Sequence, residues 1–352
     1  MFRRTKPVVG LDIGSSAVKV VELRRSGRTF KVVGFGSAPV PGDTIVDGAI
    51  IDAAAVADAI GRLLDASHIK TRDVVASLSG NSVIVKKINL PVMTEAELSE
   101  SIHWEAEQYI PFDIQDVNLD YQIISTHQGD GKGSMEVLLV AAKKDKITDY
   151  TDVIKKTGRT PVVMDVDAFA VQNAYEANYD IESGAVVALL NAGASGVNIN
   201  IVSGEQSLFT RDISMGGNAF TEAIQKELGL TFDNAERVKK GEPVDGIEPA
   251  DVAPILRTVS ENLLLEIQKT FDFFKATAAS DRIDRILVSG GTSRVDGFVE
   301  RLGERFGAPV ELFDPFRKIQ IDATKFGIER MEDVAPTSAV AVGLALRRAG
   351  DR

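Results

Sequence analysis

Three short glycine turns, each placed directly after an apolar run, are the part of this sequence best suited to chemistry, because they can bind an anion. They are Gly14-Ser15-Ser16, Gly193-Ala194-Ser195 and Gly290-Gly291-Thr292-Ser293. Glycine has no Cβ, so the backbone amides of such a turn can approach phosphate oxygens closely. A single turn of this kind is usually only the tip of a hairpin, whereas three at corresponding strand ends favour one shared ligand. None matches the P-loop pattern or the strand-to-helix G-x-G-x-x-G pattern, so neither of those phosphate sites is predicted.

Two of these turns lie in a repeated segment. Residues 8–20 read VVGLDIGSSAVKV and residues 187–199 read VALLNAGASGVNI, so that Asp12 aligns with Asn191. In each copy an apolar strand is followed by a tight turn and by a second strand with alternating β-branched residues, which is typical of a β-hairpin. The repeat predicts two related halves, each with small polar residues at the tip of a hairpin.

Length, charge and composition limit the class of protein. A chain of 352 residues with 44% hydrophobic content predicts about two packed domains. It has no cysteine, which excludes disulfides, thiolate metal sites and cysteine nucleophiles. Lysine and arginine number 40 against 51 acidic residues, and the resulting net charge of −11 disfavours nucleic acid as a partner. No stretch approaches the ~18 apolar residues that span a bilayer, so we expect neither an export signal nor a membrane anchor.

The elements that must position the first turn include a helix predicted at 51–66 from apolar residues at helical spacing. A capping-box pair, Thr94 and Glu97, predicts a second helix that ends before Pro111. Strands predicted on either side of the glycine-rich turn at 126–134 complete this block, which we interpret as a separate α+β insertion.

The same rules predict the elements around the second and third turns. A long amphipathic helix is expected from about 253 to 278, with its apolar face in the core. A buried strand at 285–288 leads into the third turn, and a closing helix is expected at 338–348. Gly343 within that helix predicts close packing on the first hairpin.

The order of these motifs resembles that of the actin, Hsp70 and sugar-kinase superfamily. Asp12-x-Gly14 with Lys19, the second hairpin at 191–197 and the late segment SGGTSRVDG are similar to its two phosphate motifs and its adenosine motif. The resemblance covers essentially the whole length. Within the superfamily the sequence looks most like the PilM family of type IV pilus assembly, and less closely like the division protein FtsA.

The resemblance implies an α/β, two-lobed actin-like ATPase fold, built from duplicated ribonuclease-H-like lobes with an FtsA-like α+β insertion. It also implies four subdomains. Their expected bounds are 1–80 with 161–182 and 334–352 for lobe 1 (1A), 81–160 for the inserted subdomain (1C), 183–215 with 281–333 for lobe 2 (2A), and 216–280 for its outer subdomain (2B).

The same resemblance implies a site for ATP and Mg²⁺. Asp12 would hold the metal, through water because Mg²⁺ keeps much of its hydration shell, and Lys19 would meet a phosphate oxygen as a point charge. The alternative for Lys19 is an ordinary exposed strand lysine. The implied contacts to phosphates, ribose and adenine are Gly14, Ser15, Ser16, Lys19, Gly193, Ala194, Ser195, Gly216, Gly217, Glu236, Lys239, Gly290, Gly291 and Ser293. Glu236 and Lys239, spaced i,i+3 on one helix face, could instead form a surface ion pair.

The sequence departs from many relatives at Asn191, where they carry an aspartate. An amide cannot accept a proton and coordinates Mg²⁺ less strongly than a carboxylate. Asp165 or Asp167, within MDVDAFAVQNAY, is the candidate for positioning an attacking water, although both could simply cap the following helix. With Asp165 and Asn191 as the catalytic candidates, nucleotide binding with at most slow hydrolysis is implied.

The resemblance finally implies a function in pilus assembly and twitching motility. The protein would be a cytoplasmic scaffold that binds the N-terminal tail of the inner-membrane protein PilN in a groove between the first lobe and the insertion, and nucleotide would close the cleft. It would reach the inner membrane only through protein partners. Other pilus components and self-association stay open as further interactions. The alternatives are a small-molecule kinase of the same superfamily and an FtsA-like filament or division scaffold.

Overall fold

Two five-stranded sheets, one in each half of the chain, carry the three glycine turns. The computed structural model describes residues 6–127, 133–277 and 282–348. Parts of the predicted turn at 126–134 and of the predicted helix at 253–278, as well as both chain ends, lie outside the described residues.

The N-terminal half folds into strands and helices that follow the predicted segments. In chain order they are β1 (Val9–Ile13), β2 (Ala17–Ser26), β3 (Thr29–Pro39), β4 (Ile45–Val46), β5 (Ala49–Ile50), α1 (Ala53–Ala66), β6 (Asp73–Leu78), β7 (Val83–Pro91), α2 (Glu95–Glu107), β8 (Val117–His127), β9 (Ser134–Lys143), α3 (Lys144–Lys156), β10 (Thr160–Val166) and α4 (Asp167–Asn178).

The C-terminal half begins with the second copy of the hairpin. Its elements are β11 (Val186–Ala192), β12 (Val197–Ser203), β13 (Gln206–Ile213), α5 (Gly217–Leu228), α6 (Phe232–Lys239), α7 (Pro249–Thr277), β14 (Arg285–Ser289), α8 (Phe298–Phe306), β15 (Val310–Leu312), α9 (Met331–Val334) and α10 (Ala339–Leu346).

The two large sheets have the same topology. The first has the order β10-β6-β1-β2-β3 and the second, written in the matching direction, has the order β15-β14-β11-β12-β13. In both, the hairpin strands are antiparallel and the first hairpin strand is parallel to the strand on its other side. The predicted duplication into two related halves is therefore confirmed by the pairing of the strands.

The insertion is a three-stranded antiparallel sheet, β7-β9-β8, covered on one face by α2. Helix α2 starts at the predicted capping box of Thr94 and Glu97 and buries an apolar stripe on this sheet. Helix α3 packs elsewhere, because Tyr150 and Ile154 are buried with α1 in the core of the first half. Helix α3 thus packs on the first half, and the expected limit of the insertion at 160 stays a prediction.

Helix α10 lies between the first hairpin and α4, and two glycines permit the close approach. A Cβ at position 10, in β1, would lie 2.1 Å from the carbonyl oxygen of Ala341 in α10. A Cβ at Gly343 would lie 1.7 Å from the carbonyl oxygen of Ala170 in α4. The prediction that Gly343 faces the hairpin is therefore wrong; Gly343 faces α4, and Gly10 on the hairpin makes room for α10. Within the described ranges, no helix is long and apolar enough to cross a membrane.

Candidate functional site

The first two glycine turns share one backbone geometry. In the first, the N–H of Gly14 donates to the carbonyl oxygen of Ala17 at 3.1 Å, and in the second the N–H of Gly193 donates to the carbonyl oxygen of Gly196 at 2.8 Å. The strands on either side are paired at matching positions, so Asp12 lies opposite Lys19 and Asn191 lies opposite Asn198. The repeat in the sequence is thus a repeat of hairpin register, and it brings equivalent side chains to equivalent places.

A charged pair occupies the first hairpin. The Nζ of Lys19 lies 2.8 Å from Oδ2 of Asp12, and the two side chains are only 17% and 13% exposed. A Cβ at Gly14 would lie 3.6 Å from the same Nζ, so the ammonium group lies beside the turn. Lys19 is therefore not an ordinary exposed strand lysine. Lys19 and Asp12 therefore place one positive and one negative charge beside the first turn.

A chain of hydrogen bonds occupies the second hairpin in place of the ion pair. Asn191 accepts a hydrogen bond from the hydroxyl of Ser289 (3.3 Å) and donates one to Asn198 (3.1 Å). Asn198 donates in turn to Oδ1 of Asp212 (2.8 Å), whose Oδ2 accepts the backbone N–H of Gly80 (2.5 Å). Gly80 lies three residues before β7, so this chain of hydrogen bonds connects β14 with the start of the insertion.

The carbonyl groups of the second turn hold the two neighbouring segments. Gly193 accepts hydrogen bonds from the N–H of Gly217 (2.9 Å) and from the hydroxyl of Thr292 (2.7 Å). A Cβ at Gly216 would lie 2.5 Å from the carbonyl oxygen of Gly193, a distance that no side chain tolerates. Gly216 and Gly217 are both buried. The structure thus brings the predicted pair of glycines, the second turn and the third turn together in one cluster.

The third turn is a tight bend that only glycine can make. Gly290 has φ of +86°, and a Cβ there would lie 2.2 Å from the carbonyl oxygen of Ala192. The hydroxyl of Ser293 donates to the carbonyl oxygen of Gly290 at 2.7 Å and is buried, so Ser293 shapes the turn from within. Gly291, by contrast, is exposed at the surface of the turn.

Glu236 and Lys239 form an ion pair that is anchored to α5. Lys239 is 11% exposed and donates to the carbonyl oxygen of Gly217 (3.1 Å) and to the hydroxyl of Thr221 (2.8 Å). Thr221 also donates to Glu236. Burial by itself would raise the pKa of Glu236, but Lys239, Thr221 and Lys240 outweigh it, so the pKa lies below its ordinary value. The alternative of a surface ion pair does not describe this arrangement, which lies against the start of α5.

Asp165 and Asp167 have different surroundings although they are two residues apart. The Oδ2 of Asp165 lies 3.5 Å from Nε of Arg347, and its Oδ1 accepts the N–H of Val166. Asp167 begins α4 and accepts a hydrogen bond from Ser77 at 2.5 Å. The chain turns from strand into helix between the two, so their side chains diverge.

The N-cap residue of α4 is Val166, so neither aspartate has the alternative role of cap. This placement favours Asp167 over Asp165 as the water-positioning group, a role that stays a prediction.

The pKa of Asp167 is affected by carboxylates from both halves of the molecule. Burial, followed by the charge of Asp12, raises the pKa of Asp167 to about 6, against the opposing hydrogen bonds of Ser77 and Ser79. Asp212, from β13 in the second half, raises it further. Burial also raises the pKa of Asp212 itself, opposed by its bonds to Asn198 and Gly80. Carboxylates that repel one another in this way favour a cation between them. In the part of the chain described, no three acidic or histidine side chains form a metal cluster.

Sequence reasoning missed Asn198, Asp212 and Thr292, which are structurally central to the site. Asn198 has a signal in the repeat, since it occupies the place of Lys19, but a neutral residue there did not suggest a role. Asp212 lies beside the glycine pair in the segment RDISMGG, and nothing in its spacing indicates that it contacts Gly80, 132 residues away in the chain.

The duplicated sheets and the matched hairpin turns define an actin-like fold, as do the similarities to solved structures. EutJ from Carboxydothermus hydrogenoformans is similar with a TM-score of 0.54 and 14% identity, over 98% of this chain and 90% of that one. MreB5 of Spiroplasma citri, solved with bound AMPPNP, is similar with a TM-score of 0.51 and 14% identity, over 97% and 95%. At these identities the likeness concerns the fold alone.

The chain belongs to the PilM family, because the family model for the type IV pilus assembly protein PilM matches residues 10–349. A solved PilM-PilN type IV pilus biogenesis complex is similar with a TM-score of 0.86 and 30% identity, over 97% of this chain and 98% of that one. Among curated proteins, the cell division protein FtsA of Streptococcus pneumoniae is 22% identical over 87% of this chain and 75% of its own length. FtsA of Enterococcus hirae is 24% identical over 89% and 79%. The protein is thus an actin-like protein of type IV pilus assembly.

Proposed function

We propose that the protein is an ATP-binding scaffold whose two lobes close on Mg·ATP and which binds the N-terminal tail of PilN. The observation that carries the nucleotide part is the convergence on Asp167 of Asp12 from the first hairpin and Asp212 from the second half. Both hairpin turns lie at the ends of strands in equivalent sheets, and this equivalence supports a site in which one triphosphate would be held from two sides.

The first lobe would supply the charges. Asp12, through water, and Asp167 would hold Mg²⁺, because a divalent cation relieves the repulsion that raises the pKa of Asp167. Mg²⁺ would neutralise phosphate charge when bound. Lys19 would exchange its ion pair with Asp12 for a phosphate oxygen, next to the amides of Ser15 and Ser16.

The second lobe would supply neutral donors and the walls for the nucleoside. The amides of the second turn, from Gly193 to Ser195, would face the terminal phosphate. Glu236 and Lys239 would border the ribose and adenine from α6, and Gly291 would border the adenine from the third turn. Ser293 would act indirectly by holding Gly290 in its bend.

Hydrolysis would be slow because the second hairpin presents an amide where a carboxylate could organise the metal. Asn191 is committed to Ser289 and Asn198, so its orientation is fixed by neighbours that are themselves hydrogen-bonded. Asp167 would be the remaining group able to orient an attacking water. The nucleotide would then act mainly as a ligand that favours the closed cleft.

The PilN tail would bind in the groove between the first lobe and the insertion, by strand addition or in apolar pockets. The support for this partner is the 30% identity over nearly the whole chain to the PilM of a PilM-PilN complex. The contact of Asp212 with Gly80 would couple the groove to the nucleotide, since it joins the second lobe to the start of the insertion. Through PilN the protein would be cytoplasmic and peripheral to the inner membrane.

Calorimetry and thermal unfolding with two ligands test this function. Mg·ATP at about 100 times its Kd stabilises a native state by about 2.7 kcal/mol, so the melting temperature should rise. A synthetic peptide of the PilN N-terminus from the same genome should bind with a different affinity with and without ATP, and ATP affinity must change by the same factor. No melting shift with Mg·ATP would overturn the nucleotide site. No peptide binding in either state would overturn the choice of partner and leave the nucleotide site standing.

A further inference from the structure

Trp104 is the only tryptophan of the chain, and it is exposed to solvent on the surface of the insertion. Its side chain belongs to α2 and is 78% exposed. Large aromatic side chains are the residue type most enriched where a protein surface becomes buried by a partner. The nucleotide site described above makes no use of Trp104 or of the outer face of α2.

The outer face of α2 is acidic around this indole. The inner face packs on the insertion sheet through Leu98, Ile102 and Ala106. At helical spacing Trp104 lies on the opposite side, with Glu100 four residues before it and Glu107 three residues after it. Glu97 lies one further turn toward the N-terminus on the same side, and these three glutamates are exposed. Helix α2 has five glutamates and no lysine or arginine.

The charge of this face decides which occupant it fits. An anionic bilayer surface attracts basic segments and would repel three carboxylates, so an interfacial role for Trp104 is disfavoured. A second copy of the chain would bring a net charge of −11 toward the same acidic face. A basic polypeptide segment satisfies both features, because its guanidinium or ammonium group can lie on the indole while neighbouring basic side chains meet the glutamates.

We propose that the outer face of α2, formed by Glu97, Glu100, Trp104 and Glu107, docks a basic segment of a partner protein. An arginine or lysine of that segment stacks on the indole, and the carboxylates set orientation and association rate. None of these four residues lies in the proposed nucleotide site, and the docking face does not depend on the proposed function.

A peptide array with the full-length chain as bait tests the docking face. The array carries overlapping peptides from the cytoplasmic segments of the pilus assembly proteins encoded in the same genome. Basic peptides should bind, and the intrinsic fluorescence of the single tryptophan should shift on titration with them in solution. Trp104→Ala should weaken binding about tenfold or more, measured by the anisotropy of a labelled peptide, and a Glu100→Lys/Glu107→Lys variant should abolish it.

A Glu222→Lys/Glu227→Lys variant is the matched control, because it makes the same change of charge at two exposed positions of α5 in the other half of the molecule. It should leave peptide binding within about twofold of the wild type. Equal loss in both charge variants, or binding that survives Trp104→Ala, would overturn the proposal. Dimerisation that is lost in Trp104→Ala, measured by sedimentation, would assign the face to a second copy instead. Selection of neutral or acidic peptides would also overturn it.

Discussion

The two hairpins have one backbone and two chemistries. In the first, Asp12 and Lys19 form an ion pair beside a turn with few other ties. In the second, the equivalent residues Asn191 and Asn198 are neutral and belong to a hydrogen-bonded chain, and the turn holds the start of α5 and the third turn. The two copies thus share the strand register that positions their side chains. They differ in the residues at equivalent positions, which are charged in the first copy and neutral in the second. The first lobe presents charge, and the second lobe presents a rigid frame connected to its surroundings.

The largest expected effect comes from breaking the frame of the second hairpin. Gly216→Ala places a methyl group 2.5 Å from the carbonyl oxygen of Gly193, among backbone atoms that have no room to move. We expect a loss of about 3 kcal/mol or more in the free energy of unfolding, measured by urea denaturation.

Gly14→Ala is the matched substitution in the first hairpin. Its Cβ would lie 3.0 Å from the carbonyl oxygen of Ala17 and otherwise near flexible side-chain ends. We expect a loss of about 1 kcal/mol or less. Equal losses in the two variants would contradict the distinction between a packed and an open turn.

The next effect concerns the charge of the first hairpin. Asp12→Ala should remove most of the roughly 2.7 kcal/mol that Mg·ATP adds at about 100 times the wild-type Kd, because the metal loses its ligand. The readout is the difference in melting temperature with and without Mg·ATP. A difference is needed because loss of the ion pair with Lys19 also lowers the melting temperature without nucleotide. Asp58→Ala, on the exposed side of α1, makes the same change of charge and should keep the full shift.

A pH dependence follows from Asp167. Its pKa is raised from 3.8 to about 6 in the native state. Between these values the native state holds more protons than the unfolded chain, so the free energy of unfolding falls as pH rises through this interval. Asp167→Asn removes that loss, and above pH 6 the variant should be more stable than the wild type by on the order of 1 to 3 kcal/mol. Denaturation curves collected from about pH 4 to 7 check this, and stability differences that do not vary with pH would exclude the assigned pKa.

The smallest effect is expected from a substitution that gives the second hairpin a carboxylate like that of the first. Asn191→Asp places a carboxylate in the second hairpin at the position equivalent to Asp12, and ATP hydrolysis should increase severalfold in a phosphate-release assay. The double variant Asn191→Asp/Asp167→Asn should lose that increase, because Asp167 is the group expected to orient water. An unchanged rate in the single variant would mean that the amide of Asn191 is not what makes hydrolysis slow.

Features that depend on neighbouring residues could be predicted from the sequence. The hairpins, the capping box of Thr94 and Glu97 and the bend at Gly290 follow from local rules, and the structure has all of them. Features that depend on distant contacts could not. The partner of Gly343 and the packing of α3 on α1 are set by contacts between segments far apart in the chain. The choice between Asp165 and Asp167 required the position at which β10 becomes α4, and the bond from Gly80 to Asp212 required the fold itself.

The bond between Gly80 and Asp212 is a joint between the start of the insertion and β13 of the second half. Strand β7 starts three residues after this joint and has nine residues, so its far end lies about 30 Å away. At that arm length a tilt of about 5° swings the far end, where α2 begins, by roughly 2 to 3 Å. If the lobes close on a ligand as proposed, a small rotation about this bond would move the helix that carries Trp104 by a larger distance.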